Sequence, residues 1–259
     1  MKRLLLLVIT TLLLSSTVAA KEVQDMSDPL AVYTQAGLGA TNKGLNAKIG
    51  ISYDTGIKDV AAMNVIEFKG FFGEDLGWDG SSKKTNRLDS FRFRNFSANI
   101  KSGRGSQLDI NYSLKESFLA ERTGNASYSI LQALPKFWIV NLYPLIGAGV
   151  EFGKNTVEDD SSIDSGFSII GVNSVVGFYG KFTITEKIWL NYNPIWAAAL
   201  AGSDLYESSA YGGKDNILLH EFVASYQFTP RFNLRYFANW SNLVDIADGD
   251  HRIEFNYQF

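Results

Sequence analysis

Arg231, Arg235 and Arg252 fall in the C-terminal hairpin, and the rigid fork of a guanidinium suits a carboxylate or a phosphate. A hairpin drawn across this stretch sets Arg235 near Asn256, Arg252 near Asn239 and Glu254 near Phe237. Arg235 and Arg252 then meet no carboxylate directly opposite, which predicts a basic patch that contacts solute. Hydrolysis would need a nucleophile or activated water beside a histidine base, and the only histidines are His220 and His251. Neither HEFVAS nor HRIEF carries a serine two residues on, as a strand-borne lipid hydrolase site would. Both are expected as surface or interface residues, and no catalytic residue is assigned. Glu74, Asp75 and Asp79 make one acidic group, and Glu158, Asp159, Asp160 and Asp164 another. Neither follows the Asp-x-Asp-x-Asp-Gly order of a calcium loop, so solvated loops without a metal are expected. No phosphate loop or metal-ligand cluster appears, and no cofactor is expected.

The elements that must carry these residues repeat with period two. A strand wetted on one face and greasy on the other alternates apolar and polar side chains, because neighbours point to opposite faces. At the C-terminus Ile253, Phe255, Tyr257 and Phe259 alternate with Arg252, Glu254, Asn256 and Gln258. Phe232, Leu234, Tyr236, Ala238 and Trp240 alternate with Arg231, Asn233, Arg235, Phe237 and Asn239. Similar rhythms run through 44–53 and 105–116. Twelve strands are expected, over 31–38, 44–53, 60–72, 89–101, 105–116, 126–133, 137–152, 165–183, 186–201, 216–228, 231–241 and 250–259. Ten is the alternative count, if the first and sixth are not separate elements. Connections alternate between short (54–58, 102–104, 135–136, 185–186, 229–230) and longer (73–88, 117–125, 153–164, 202–215, 242–249). Only 39–43 is short where a long loop is allowed. This predicts an all-β, closed antiparallel transmembrane barrel, with short turns toward the periplasm, long loops outside and an even strand number.

With the faces assigned, the lumen is expected to hold Lys48, Glu67, Lys69, Asp109, Lys115, Glu151, Lys181, Glu221, Arg231, Arg235, Arg252 and Glu254. Seven are basic and five acidic, which predicts a wet path mildly favouring anions. The same residues could instead close the barrel as a salt-bridge network. Two breaks in the pattern stand out. Phe91 and Phe93 share parity with Asn95, Ser97 and Asn99, which predicts a flip of face, by a bulge or an early boundary, between Phe93 and Phe96. Pro144 and Pro194 each remove a ladder donor and predict bends or bulges. Tyr53, Trp138, Phe182, Trp189, Phe228, Phe232 and Phe259 are expected in a periplasmic aromatic belt, and Phe72, Phe91, Trp196 and Trp240 in an outer one.

The ends agree with this class. Lys2 and Arg3, an apolar run over 4–14 and a tail of Val18, Ala19 and Ala20 predict a cleaved signal peptide over 1–20 and one barrel domain over 21–259. The run is too short for a spanning helix, which needs about 20 apolar residues. The chain has 24 basic and 27 acidic residues; the first twenty hold two of the basic ones, leaving 22 against 27 and a net charge of −5. That balance argues against a nucleic-acid partner. With no cysteine, the barrel must hold together without disulfides.

HRIEFNYQF resembles the C-terminal signature of Gram-negative outer-membrane barrels. The resemblance implies that Ile253, Phe255, Tyr257 and Phe259 form an assembly signal read by the barrel-insertion machinery. HEFVASYQFTPRFNLRYFANW with HRIEFNYQF is similar to the closing hairpins of oligogalacturonate-specific porins, and strand number and length also resemble the nucleoside-specific channels. Those families imply passive diffusion of small solutes, selected by lumen side chains. The expectation is an outer-membrane channel in contact with lipid and lipopolysaccharide. A closed structural or ligand-binding barrel is the alternative, ahead of a lipid-modifying enzyme. Loops of at most about 16 residues favour small-solute traffic over a large binding surface.

Overall fold

Alternation along the chain becomes a barrel in the computed structural model, which describes residues 23–76 and 88–259. The expected signal peptide over 1–20 and Asp79 lie outside the described residues. Twelve strands run antiparallel: β1 (Gln35–Thr41), β2 (Gly44–Asp54), β3 (Val60–Phe71), β4 (Ser90–Asn99), β5 (Arg104–Ser113), β6 (Ala120–Gln132), β7 (Val140–Val157), β8 (Ile163–Thr183), β9 (Ile188–Gly202), β10 (Asn216–Thr229), β11 (Phe232–Ser241) and β12 (Asp250–Gln258). Each pairs with its sequence neighbours, and β1 closes the ring on β12. The count is twelve, and the alternative of ten falls away.

Burial identifies the faces. On β12, Ile253, Phe255 and Tyr257 stand 43–52% exposed on the outside, while Glu254, Asn256 and Gln258 are 1% exposed within. A water-soluble fold does the reverse. Outward Leu38, Ile49, Ile51, Ile66 and Phe68 extend the apolar surface around the ring, a continuous patch that requires lipid or a partner to cover it.

Several expectations shift. β1 begins at Gln35 and not near residue 31, because residues 23–34 leave the wall and enter the lumen. β6 starts six residues early because the Ser117 hydroxyl accepts hydrogen bonds from the amides of Leu119 and Ala120, both 3.2 Å. β4 keeps one unbroken register with both neighbours, so no flip occurs. Asn95 stays outward, where it donates to Asn64 and the Tyr53 hydroxyl, both 2.8 Å. A polar residue on a greasy face is tolerated there because its neighbours satisfy it. Pro144 and Pro194 cause no bulge either. Pro144 pairs in register with Phe178, and the β8 to β9 ladder skips from Gly177↔Ile195 to Gly180↔Tyr192 without slipping. On these two ladders the shifts fall elsewhere, at Glu151/Phe152, Lys154/Thr156 and Val172/Asn173. Trp189 is not in the turn-end belt: it is 4% exposed and faces inward beneath Arg235.

The end carrying the long loops holds a short helix that was not foreseen, α1 (Asp204–Ser209), whose N-cap Ser203 accepts from the Tyr206 amide. Asp159 accepts the amides of Asp204 and Leu205 at 3.2 and 2.9 Å, so this acidic residue caps a helix and is not merely solvated. Tyr206 buries its ring among Leu119, Ala120 and Ile170. A Cβ on Gly171 would come within 2.2 Å of that ring. Gly171→Val is therefore expected to lift α1 off the loop end; protease should then cut the 203–215 loop several-fold faster, and an unchanged rate would refute the packing.

Candidate functional site

The enclosed space is the candidate site, a cavity of about 430 Å³ along the lumen. Its walls carry charge because inward positions of β2 to β5 and β9 to β12 alternate with lipid-side apolar ones, and the ring closure brings β2 beside β1 and β12. Three carboxylates organise it. Asp109 on β5 accepts both Nε (2.8 Å) and a terminal nitrogen of Arg92 on β4, and it takes a third bond from Gln107 at 3.0 Å. Glu67 on β3 pairs with Arg94 and, at 3.5 Å, with Lys69. Glu254 on β12 meets Lys48 at 2.6 Å and Arg252 at 3.6 Å, and accepts from Asn46 at 2.8 Å. Pairing and hydrogen bonding stabilise charges held this deep in the wall.

Aromatic faces hold the guanidinium groups. The Arg252 Cζ lies 3.9 Å from the Phe237 ring centroid, Arg94 lies 5.1 Å from Phe96, and Arg235 lies 5.7 Å from Trp189. The register of β11 with β12 departs by two residues from the expected one. Arg235 stands opposite Glu254, Phe237 opposite Arg252 and Asn239 opposite Asp250. The loop between these strands folds back through a Ser241↔Val244 bridge and a 3-10 turn over Ile246–Asp248, and its geometry sets the pairing.

The structure gathers Lys48, Glu67, Lys69, Glu221, Arg235, Arg252 and Glu254 around one cavity, with Asp109 behind Arg92. Glu221 is held by Asn193 at 2.8 Å. Glu151 sits toward the loop end, where Asn125 donates to it at 3.0 Å. Lys181 lies at the opposite end, 3.0 Å from Asp25. Two residues lie outside the strands altogether: Lys115 is half-exposed in the loop after β5, paired with Asp89 at 2.8 Å, and Arg231 occupies the turn before β11, donating to the Gln258 carbonyl at 3.4 Å. Arg92, Arg94 and Asp250 were missed. Strict alternation carried through β4 would have found the two arginines.

A second omission is larger. Residues 23–34 run inside the turn end of the lumen. Met26 and Tyr33 are buried there and line the cavity floor. Lys181 grips Asp25, the Tyr143 hydroxyl donates to Asp28 at 3.0 Å, and Gln24 exchanges bonds of 2.8 and 3.0 Å with Gln258. Leu30 packs against Leu131, Tyr143 and Leu145. Partial burial would raise the Asp25 carboxyl, but hydrogen bonds from Ser27 and Lys181 prevail and hold it below the ordinary aspartate value. With a depressed value, the anchor is complete at neutral pH and is lost only as acid passes below that range.

His251 shares the outward parity of Ile253 and Phe255, whereas His220 and Trp240 border the cavity. The Tyr192 hydroxyl meets His220 Nδ1 at 2.8 Å, with Trp240 stacked on the imidazole, and the Tyr236 hydroxyl meets His251 Nδ1 at 2.8 Å. The C-terminal aromatics also face out: Phe255 stacks on Phe232, and the Phe259 amide donates to the Thr34 carbonyl at 3.0 Å. Among the described residues, no three His, Cys, Asp or Glu side chains cluster as a metal site would require.

No family model matches the chain, and no curated protein matches it. Solved structures do. An outer membrane channel from Pseudomonas putida F1 is similar at a TM-score of 0.53 and 9% identity, covering 93% of this chain and 100% of that one. The NanC porin is similar at 0.51 and 8%, covering 87% and 98%. The KdgM porin in complex with oligogalacturonate aligns at 0.48 and 7%, covering 88% and 99%. The first two share with this chain the fold of a small membrane-spanning barrel.

Proposed function

We propose that this chain is an outer-membrane channel for passive diffusion of small hydrophilic solutes, with a lumen that mildly favours anions. The observation that carries the reading is the charged cavity inside a barrel whose outside is apolar. Water is the medium that makes such an interior affordable, and lipid the medium that suits the exterior. Six basic and five acidic side chains line the cavity, an excess that sets the direction of selectivity and keeps it weak. Two of the similar structures are named as a porin and an outer membrane channel, which supports the same reading. On it, the chain reaches the outer membrane by its cleaved signal peptide, meets lipid and lipopolysaccharide outside, uses Ile253, Phe255, Tyr257 and Phe259 for assembly, and catalyses no reaction.

A second reading is favoured by one observation. The 23–34 segment enters the lumen and ion pairs link its walls, as in a closed structural or ligand-binding barrel. Swelling of protein-containing liposomes in glucose, glucuronate and glucosamine separates the two. The channel predicts swelling with all three, about two-fold faster for glucuronate than for glucosamine. No swelling with any sugar, from intact chain and from chain lacking residues 23–32, would leave the closed barrel.

A further inference from the structure

The anchoring of the 23–34 segment is chemically uneven at one point. Asp25 and Asp28 give it ionic or charge-assisted contacts, but Arg235 donates to the neutral carbonyl of Met26. The Tyr33 hydroxyl, also neutral, meets the same guanidinium. A buried arginine normally finds a carboxylate. The one opposite it, Glu254, is already taken by Lys48 and Arg252. Asp250 and Glu221, the other carboxylates on this wall, act on Lys69. Three cations thus surround one carboxylate, in side chains that are 10% exposed for Lys48, 11% for Arg252 and 1% for Glu254. The local excess is two positive charges, and Arg235 Nε has no hydrogen-bond partner among the described residues.

We propose that Lys48, Arg235 and Arg252 form a binding site for the carboxylate of a small anionic solute, and that Arg235 couples this site to the 23–34 segment as its latch. The inference rests on the channel reading and adds its regulation. A solute carboxylate offers Arg235 two charged acceptors in place of one neutral carbonyl, and charge-assisted bonds are about twice as strong as neutral ones. Turning to the solute, Arg235 releases Met26. The segment then keeps Asp25, Asp28 and Leu30 contacts but loses its hold at the cavity floor. Because the solute binds the released state better, it shifts the population toward an open turn end by a factor of one plus its concentration over Kd. A neutral or cationic sugar gains nothing from the site and shifts nothing.

The chain lacks cysteine, so Met26→Cys places a single reporter on a residue only 5% exposed. Ala31→Cys, which also lines the cavity floor, supplies a second should the first fail to fold. The measurement is the rate of modification by an uncharged maleimide in lipid vesicles at constant ionic strength, with glucuronate, glucose or glucosamine added. Glucuronate at ten times its Kd should accelerate labelling about tenfold, and the other sugars should leave it unchanged. Adding Arg235→Gln should give fast labelling without any sugar and abolish the response. No acceleration by glucuronate at either reporter overturns the proposal, as does acceleration that survives Arg235→Gln. Swelling without a labelling response defeats the latch and spares the channel; a labelling response without swelling does the opposite.

Discussion

Glu254→Gln is expected to destabilise the folded barrel by about 3 kcal/mol, seen as a lower urea midpoint for unfolding from lipid vesicles. Removing one partner of a buried ion pair costs about 3–5 kcal/mol, because the remaining charge is left uncompensated. Here three cations lose their shared carboxylate, while water in the cavity offsets part of the penalty and places the effect at the low end. Gln preserves size and can still meet Asn46, so the loss reports charge and not packing. Adding Lys48→Met should recover more than 1 kcal/mol, since it removes one of the stranded cations. The same Glu254→Gln barrel should prefer anions more strongly in planar bilayers. An unchanged midpoint would mean that Glu254 does not compensate the cluster.

Ile49→Arg carries the second large effect. Ile49 lies midway along β2, points outward and is 61% exposed. On a water-soluble barrel such a change stays within about 0.5 kcal/mol. On a lipid-facing strand near the bilayer midplane it costs about 2–4 kcal/mol. Unfolding of the variant from vesicles distinguishes these values directly. A near-neutral result would sink the membrane orientation on which the channel reading depends.

Much of the architecture is local information. Ile253, Phe255, Tyr257 and Phe259 announce a face by themselves, since period two follows from the pleat of a single strand. Strand number and the alternation of turns and loops follow from counting such segments. Where local composition is noisy, parity is masked: Asn95 and Ser97 imply a flipped face on β4 and hide Arg92 and Arg94, although the backbone keeps one register. Asn64 and Tyr53, which make outward Asn95 tolerable, come from other strands.

The site itself belongs to tertiary structure. Which carboxylate Arg235 faces depends on how many residues the 241–250 loop absorbs, and a two-residue slip keeps every side chain on the same face while changing all its partners. Lys48 reaches Glu254 only because β1 closes the ring beside β12, a contact between residues at opposite ends of the chain. The 23–34 segment has no period to read; its place is decided by Lys181, Tyr143 and Arg235, which become neighbours only once the barrel exists. Sequence alone determines a face because neighbouring side chains obey backbone geometry, whereas partners across a lumen are chosen by closure.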